Sequence, residues 1–180
     1  MKRYGMLAMG LLAVLPVAGA MASPPPLPGS GQPVDERKAQ DSLPMASGEV
    51  WKTLMQSKIT YSAKAPHINA TKPPEVKALN GRSVVVDGFM LPIDEGEYPK
   101  HFLLSKRTPT CPFCPPGEPN EVIEVYSQKG VYYDDSLLTM QGNFTLINNT
   151  ENGVFFVMKD ANVVKKAKPK YTVPMMGSLK

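Results

Sequence analysis

The chain has 180 residues, with 20 basic and 16 acidic side chains, 19 prolines and two cysteines. Two of the basic residues, Lys2 and Arg3, precede the apolar run Met6–Val17, so the rest of the chain is nearly neutral. That balance excludes a general nucleic-acid role, which depends on a cationic surface.

The N-terminus predicts a secretory signal peptide over residues 1–22. A basic start and an apolar run are followed by small residues at Ala20 and Ala22, as a signal-peptidase site requires. The apolar run is shorter than the ~20 residues that span a bilayer, so we expect cleavage before Ser23 and no transmembrane segment afterwards. A bacterial signal of this kind predicts a periplasmic protein, in a compartment that permits disulfides.

The mature chain predicts a flexible linker followed by one domain. Residues 23–47 are rich in Pro, Gly and Ser, which is typical of a linker. A single domain is predicted over residues 48–164, which leaves 165–180 as a basic, solvated tail.

Two short helices are predicted at the start of this domain. Ser47 has the chemistry of an N-cap, and apolar residues then recur at helical spacing around Trp51, which we expect to pack on the core. Residues 58–72 are predicted to be extended. Pro73 and Pro74 then favour a second helix start, with Gly81 after its end.

The pattern changes to β-strands after residue 81. Five segments are rich in Val, Ile, Leu, Phe and Tyr. They are RSVVVDGFMLPI, HFLLSKR, NEVIEVYSQ, SLLTMQGNFTLINN and GVFFVMKDANVV. Gly88 and Gly142 inside these strands indicate bulges or barrel corners. The fold prediction is mainly β, a small five-stranded OB-like Greek-key barrel, with a β-sandwich as the alternative.

Both cysteines lie in the segment TPTCPFCPPGEPNE, between the second and third predicted barrel strands. A thioredoxin-type site needs a helix directly after Cys111 and Cys114, but Pro115 and Pro116 oppose one there. The prolines instead predict a rigid loop, whose ordering on binding costs little. The predicted binding loop comprises Pro112, Phe113, Pro115, Pro116, Glu118, Asn120 and Glu121.

The spacing of Cys111 and Cys114 is half of a structural zinc site, and thiolates also favour Cu(I). The chain has two histidines, His101 and His67, and either could complete a zinc or copper site. A local disulfide that closes the turn is the alternative. No sequence motif pairs a nucleophile with a base, so an enzyme is not supported.

Several of these segments resemble a bacterial family catalogued as domain of unknown function 3299. They are GRSVVVDGFMLPID, HFLLS, TCPFCPPGEPNEVIEV and LTMQGNF. The resemblance covers roughly Trp51 to Ala161 and implies a periplasmic β-barrel domain without an established reaction. Genes of the family often neighbour genes for ABC transporters, which implies an accessory role in export or metal handling.

The commoner loop of that family resembles C-x-H, whereas this chain has Phe113 at the histidine position and Cys114 directly after it. Cysteine and histidine replace each other as metal ligands but not as disulfide partners. The resemblance therefore favours a metal site over a structural disulfide.

Three functions remain open from the sequence. The first is an accessory protein that binds zinc or copper and supports an ABC transporter or envelope assembly. The second is a non-enzymatic protein-binding module with a structural disulfide, and the third is a thiol–disulfide redox protein.

Overall fold

The structure is a computed structural model that describes residues 38, 40–61, 68–110, 116–148 and 152–168. The elements with bounds inside these ranges are two short helices, seven strands and one 3-10 turn. In chain order these are α1 (Glu49–Leu54), β1 (Lys58–Tyr61), β2 (Ile68–Thr71), α2 (Pro74–Lys77), β3 (Ser83–Pro92), β4 (His101–Ser105), the 3-10 turn (Pro119–Glu121), β5 (Val122–Ser127), β6 (Leu137–Leu146) and β7 (Phe156–Ala167). Residues 40 and 41 are helical as well.

Five strands close into a barrel in the order β3-β4-β5-β7-β6. β3 pairs antiparallel with both β4 and β6, whereas β5 and β7 run parallel. The predicted five-stranded OB-like barrel is confirmed. The alternative β-sandwich is wrong, because a single sheet closes on itself instead of packing against a second one.

Two glycines allow the barrel strands to approach closely. A Cβ on Gly88 would lie 2.5 Å from Leu104 Cγ, and one on Gly142 would lie 2.8 Å from the carbonyl oxygen of Lys159. Gly88 lies where β3 changes its partner from β6 to β4, and Gly142 lies at a register shift between β6 and β7. The predicted corner and bulge are therefore confirmed at these two glycines.

Helix α1 packs on the barrel through Trp51, which is 1% exposed. Its indole Nε1 donates a hydrogen bond of 2.6 Å to the carbonyl oxygen of Asp87 on β3, so its predicted role as a core anchor is confirmed. The predicted cap at Ser47 is wrong by one residue. Gly48 is the N-cap, with a φ of 136° and no side-chain cap hydrogen bond. Helix α2 begins at Pro74, as predicted.

The segment predicted to be extended forms a two-stranded sheet of β1 and β2. Lys72, directly after β2, is only 7% exposed and donates from Nζ to the Ile147 carbonyl oxygen at 2.7 Å. The same ammonium lies 5.0 Å from the centre of the Phe155 ring. Burial, with a smaller contribution from Lys77, lowers the pKa of Lys72. These contacts join the small sheet to the barrel.

The ordered domain extends beyond both predicted boundaries. Gln40 and Ala46, inside the predicted linker 23–47, are buried, and the backbone N–H of Ala46 donates to the Lys106 carbonyl oxygen at 2.8 Å. At the other end, β7 continues to Ala167 instead of ending at residue 164. Residues 1–37 lie outside the described part of the chain, so the signal peptide stays a prediction. Among the described residues, no helix has the length and apolar character of a membrane span.

Candidate functional site

The structure describes about half of the predicted site. Cys111, Pro112, Phe113, Cys114 and Pro115 lie outside the described residues, as does His67. The remaining predicted residues, Pro116, Glu118, Asn120, Glu121 and His101, are described. The geometry of the site is therefore built from the segments that enter and leave the loop.

One side chain joins the two ends of the cysteine segment. Gln40 is fully buried, and its Nε2 donates to the carbonyl oxygen of Thr108 at 2.9 Å and to that of Pro116 at 3.0 Å. Ser105 Oγ, at the end of β4, also donates to the Pro116 carbonyl oxygen, at 3.1 Å. Because Thr108 precedes residues 111–115 and Pro116 follows them, these bonds fix the distance between the two ends of the loop.

A buried ion pair lies beside this junction. Arg107 Nε donates to Glu121 Oε2 at 2.7 Å, and Arg107 Nη1 contacts Asp41 Oδ1. Glu121 is only 2% exposed, and its Oε2 also accepts the backbone N–H of Glu118 at 3.1 Å. We term Gln40, Asp41, Ser105, Arg107 and Glu121 the loop base.

The ionisation of Glu121 follows from these contacts. Burial alone would raise the pKa of its carboxyl group. The hydrogen bond and the charge of Arg107, together with the N–H of Glu118, outweigh burial and leave the pKa below its ordinary value. Glu121 is therefore held as a carboxylate that neutralises Arg107 inside the protein.

The other predicted loop residues on this side also have partners within the chain. Tyr61 donates from its hydroxyl group to Glu118 Oε2 at 3.0 Å, and Asn120 Nδ2 donates to the Ser57 carbonyl oxygen at 3.1 Å. Glu118 and Glu121 form a reciprocal capping box around the 3-10 turn. The structure therefore gives these residues a part in holding the loop. Whether they also contact a ligand stays a prediction.

Replacing Gln40 with leucine is expected to destabilise the protein by about 1–3 kcal/mol, because the carbonyl groups of Thr108 and Pro116 each lose one buried donor. Among the described residues, Pro116 then keeps only the bond from Ser105. Gln40 Oε1, which has no partner among the described residues, offsets part of this loss when it is removed. Urea unfolding measures the difference. The matched control is Gln141→Leu, on an exposed strand position, where a change within about 0.5 kcal/mol is expected. Equal stability of the two variants would contradict the role of Gln40.

His101 lies at the far end of the β4–β5 hairpin from the cysteine segment. It is the first residue of β4, whereas the segment follows Ser105, the last, and four residues of strand span roughly 13 Å. Its Nε2 lies 2.7 Å from Glu124 Oε1, and its ring stacks on Tyr126 with centroids 4.4 Å apart. No group of three or more potential metal ligands occurs within the described ranges. The participation of His101 in a cysteine metal site stays a prediction.

An open cleft of about 700 Å³ lies on the outside of the barrel, where β5 and β7 run side by side. Its polar and aromatic lining includes Glu124, Tyr126, Gln128, Asn152, Lys159 and Asp160. In OB folds, ligands bind across the second and third barrel strands and the loop between the fourth and fifth. Here these strands are β4 and β5, and the cleft shares β5 with that face.

Sequence reasoning missed the cleft. The alternation in the segment EVYSQ does place Glu124 and Tyr126 on one face of a strand. The position of Asp160 beside them depends on the parallel pairing of β5 with β7, which local sequence patterns do not encode.

Most of the chain is similar to known proteins. A family model described as "Protein of unknown function (DUF3299)" matches residues 32–165. A crystal structure of a DUF3299 family protein from Pseudomonas aeruginosa PAO1 is 23% identical, covering 73% of this chain and 91% of that one, with a TM-score of 0.44. No curated protein matches the chain.

Proposed function

Since this chain belongs to the DUF3299 family, we propose that it is an exported periplasmic accessory protein that binds a zinc or copper ion through Cys111 and Cys114. The observation that carries the proposal is the junction made by Gln40, which holds Thr108 and Pro116 on either side of the cysteine segment. A loop with fixed ends loses less conformational freedom when it binds an ion.

The energetic cost of burying the charged groups of the loop base indicates that the loop has a function. Buried ion pairs do not in general stabilise a protein more than apolar residues of the same size would. Here Arg107 and Glu121 are placed where the chain enters and leaves a proline-rich loop. An arrangement of this kind is explained by a need to hold the loop in one geometry, which a metal site requires.

The chemistry of the thiolates decides the class of ion. Cysteine thiolates are soft ligands that favour Zn(II) and Cu(I) over hard cations. Cys111 and Cys114 supply two ligands, and a tetrahedral zinc site needs four. Glu121 is engaged by Arg107, so we propose that His67 or a second copy of the chain supplies the others. A metal-handling role beside an ABC transporter or another envelope protein fits this chemistry.

The proposal is tested by titrating the reduced, metal-free mature protein with Zn(II) and with Cu(I). One ion per chain is expected, and the Cys111→Ser, Cys114→Ser double variant is expected to bind at least a hundredfold more weakly, because both soft ligands are lost. Gln141→Leu, on an exposed strand position, is the control and is expected to keep the site intact. A His101→Asn variant shows separately whether His101 is a further ligand. Stoichiometric binding by the double-serine variant would refute the proposal.

The same loop base favours a second candidate, a protein-binding module in which a disulfide closes the loop. A loop whose two ends are fixed is a suitable surface for a partner in the envelope. The two candidates differ in the state of the thiols, because a metal site needs them reduced. A reduction potential below about −300 mV would mark the disulfide as structural and also oppose the redox alternative.

A further inference from the structure

We propose that the cleft between β5 and β7 is a second binding site, which takes a short neutral saccharide. The cleft is built from residues other than those of the loop base, and it does not depend on metal binding. Its volume of about 700 Å³ lies within the range of roughly 300–1,000 Å³ that is usual for small-molecule sites.

Tyr126 supplies an aromatic surface in the cleft. It is 42% exposed, and its ring stacks on His101 at an interplanar angle of 11°. Its hydroxyl group donates to Glu124 Oε1 at 3.0 Å, so the ring is held at both its face and its tip. An exposed, fixed aromatic ring with a polar tip fits the apolar C–H face of a sugar while leaving its hydroxyl groups in contact with polar neighbours.

The polar lining matches the hydroxyl groups of a sugar, which both donate and accept. Glu124 and Asp160 accept, Lys159 donates, and the amide of Gln128 does both. Glu124 Oε1 already accepts from His101 and Tyr126, and these bonds orient the carboxylate. Because a carboxylate has about four acceptor positions, it retains capacity for a ligand.

The backbone of Asp160 has a positive φ, and this conformation helps to direct its side chain into the cleft. Its φ is 51°, in the left-handed region that side chains other than those of Asn and Asp rarely adopt. It lies at a register shift of β7 against β6, and bulges of this kind redirect a side chain out of the regular alternation. Asn143 Nδ2 donates to Asp160 Oδ2 at 3.2 Å and helps to fix the carboxylate.

The charge of the cleft decides between ligand classes. Among the described lining residues, Glu124 and Asp160 are acidic and Lys159 is the one basic residue. This excess of acidic residues opposes phosphate-rich ligands such as nucleic acid. The ammonium of Lys159 lies in the same lining and weakens the attraction of these carboxylates for a lysine or arginine side chain of a partner. A neutral saccharide uses all three groups without repulsion.

The test uses the mature protein and isothermal titration with maltotriose, cellotriose and the trisaccharide of N-acetylglucosamine. Binding of at least one of them at submillimolar concentration is expected. Tyr126→Ala is expected to weaken that binding at least tenfold. The control is Tyr132→Ala, because Tyr132 is 49% exposed but lies outside this cleft, and it should leave binding unchanged.

The Asp160→Gly variant tests saccharide binding without a large change in the stability of the protein. Glycine adopts a positive φ without a side-chain penalty, so the thermal midpoint is expected to change little while saccharide binding falls at least tenfold. Absence of binding by all three trisaccharides would overturn the proposal. So would unchanged affinity in both cleft variants, or binding of trilysine, in place of the sugars, with the same dependence on Tyr126 and Asp160.

Discussion

Replacement of Glu121 with alanine is expected to destabilise the protein by about 3–5 kcal/mol, because it leaves the charge of Arg107 without its buried partner. Arg107 has 14% of its side chain exposed, so water replaces the lost carboxylate poorly. The exposed Asp41, its other partner, compensates only in part. Urea unfolding measures the difference in unfolding free energy.

The control for this prediction is Glu49→Ala. Glu49 pairs with Lys52 on the surface of α1, where the two side chains are 85% and 72% exposed. Exposed pairs of this kind contribute about 1 kcal/mol or less. If Glu121→Ala were no more destabilising than Glu49→Ala, the loop base would not be a structural element.

The contribution of Glu121 also depends on pH. Its pKa in the folded protein lies below the ordinary value of 4.5, so the carboxylate stabilises the fold at neutral pH, and this stabilisation is lost as the pH falls through the folded pKa. The difference in unfolding free energy between the wild type and Glu121→Ala should therefore shrink below about pH 4.5. If the difference in unfolding free energy grew on acidification, the pKa of Glu121 would not be lowered in the folded protein.

The second large effect is expected at the single tryptophan. Trp51→Ala should cost about 3–5 kcal/mol, because a side chain that is 1% exposed leaves a cavity and the Asp87 carbonyl group loses its donor. Trp51→Phe keeps most of the volume and should cost clearly less. Urea unfolding measures the unfolding free energy of both variants.

Tyr98→Ala is the aromatic control for Trp51, since Tyr98 is 62% exposed and its loss should cost about 1 kcal/mol or less. If Trp51→Ala and Tyr98→Ala lowered the free energy of unfolding equally, α1 would not be packed on the barrel as described.

The barrel could be predicted because its strands carry local signals. Apolar and β-branched residues recur in five segments, and Gly88 and Gly142 mark the positions where strands come too close for a side chain. The number of barrel strands, their order along the chain and the two short helices follow from such patterns. The number of strands and the glycines inside them also predict the closure of the sheet.

The loop base could not be predicted, because it joins residues far apart in the sequence. Gln40 is separated from Pro116 by 76 positions and lies in a stretch whose composition is typical of a linker. Nothing in that stretch distinguishes a buried glutamine from a solvated one. The cap of α1 was placed wrongly for a related reason, because Ser47 has the favoured chemistry while Gly48 has the required backbone conformation.

The proposed metal site is tested by the intact mass of the protein under native and denaturing conditions, after purification without reductant or chelator from a bacterial host that recognises the predicted signal peptide. If Cys111 and Cys114 bind a metal ion, the denatured mass shows both thiols reduced and the native mass is heavier by one zinc or copper ion. A denatured mass lower by two hydrogen atoms, with no metal in the native protein, would contradict the metal site. Cys111 and Cys114 would then form a disulfide.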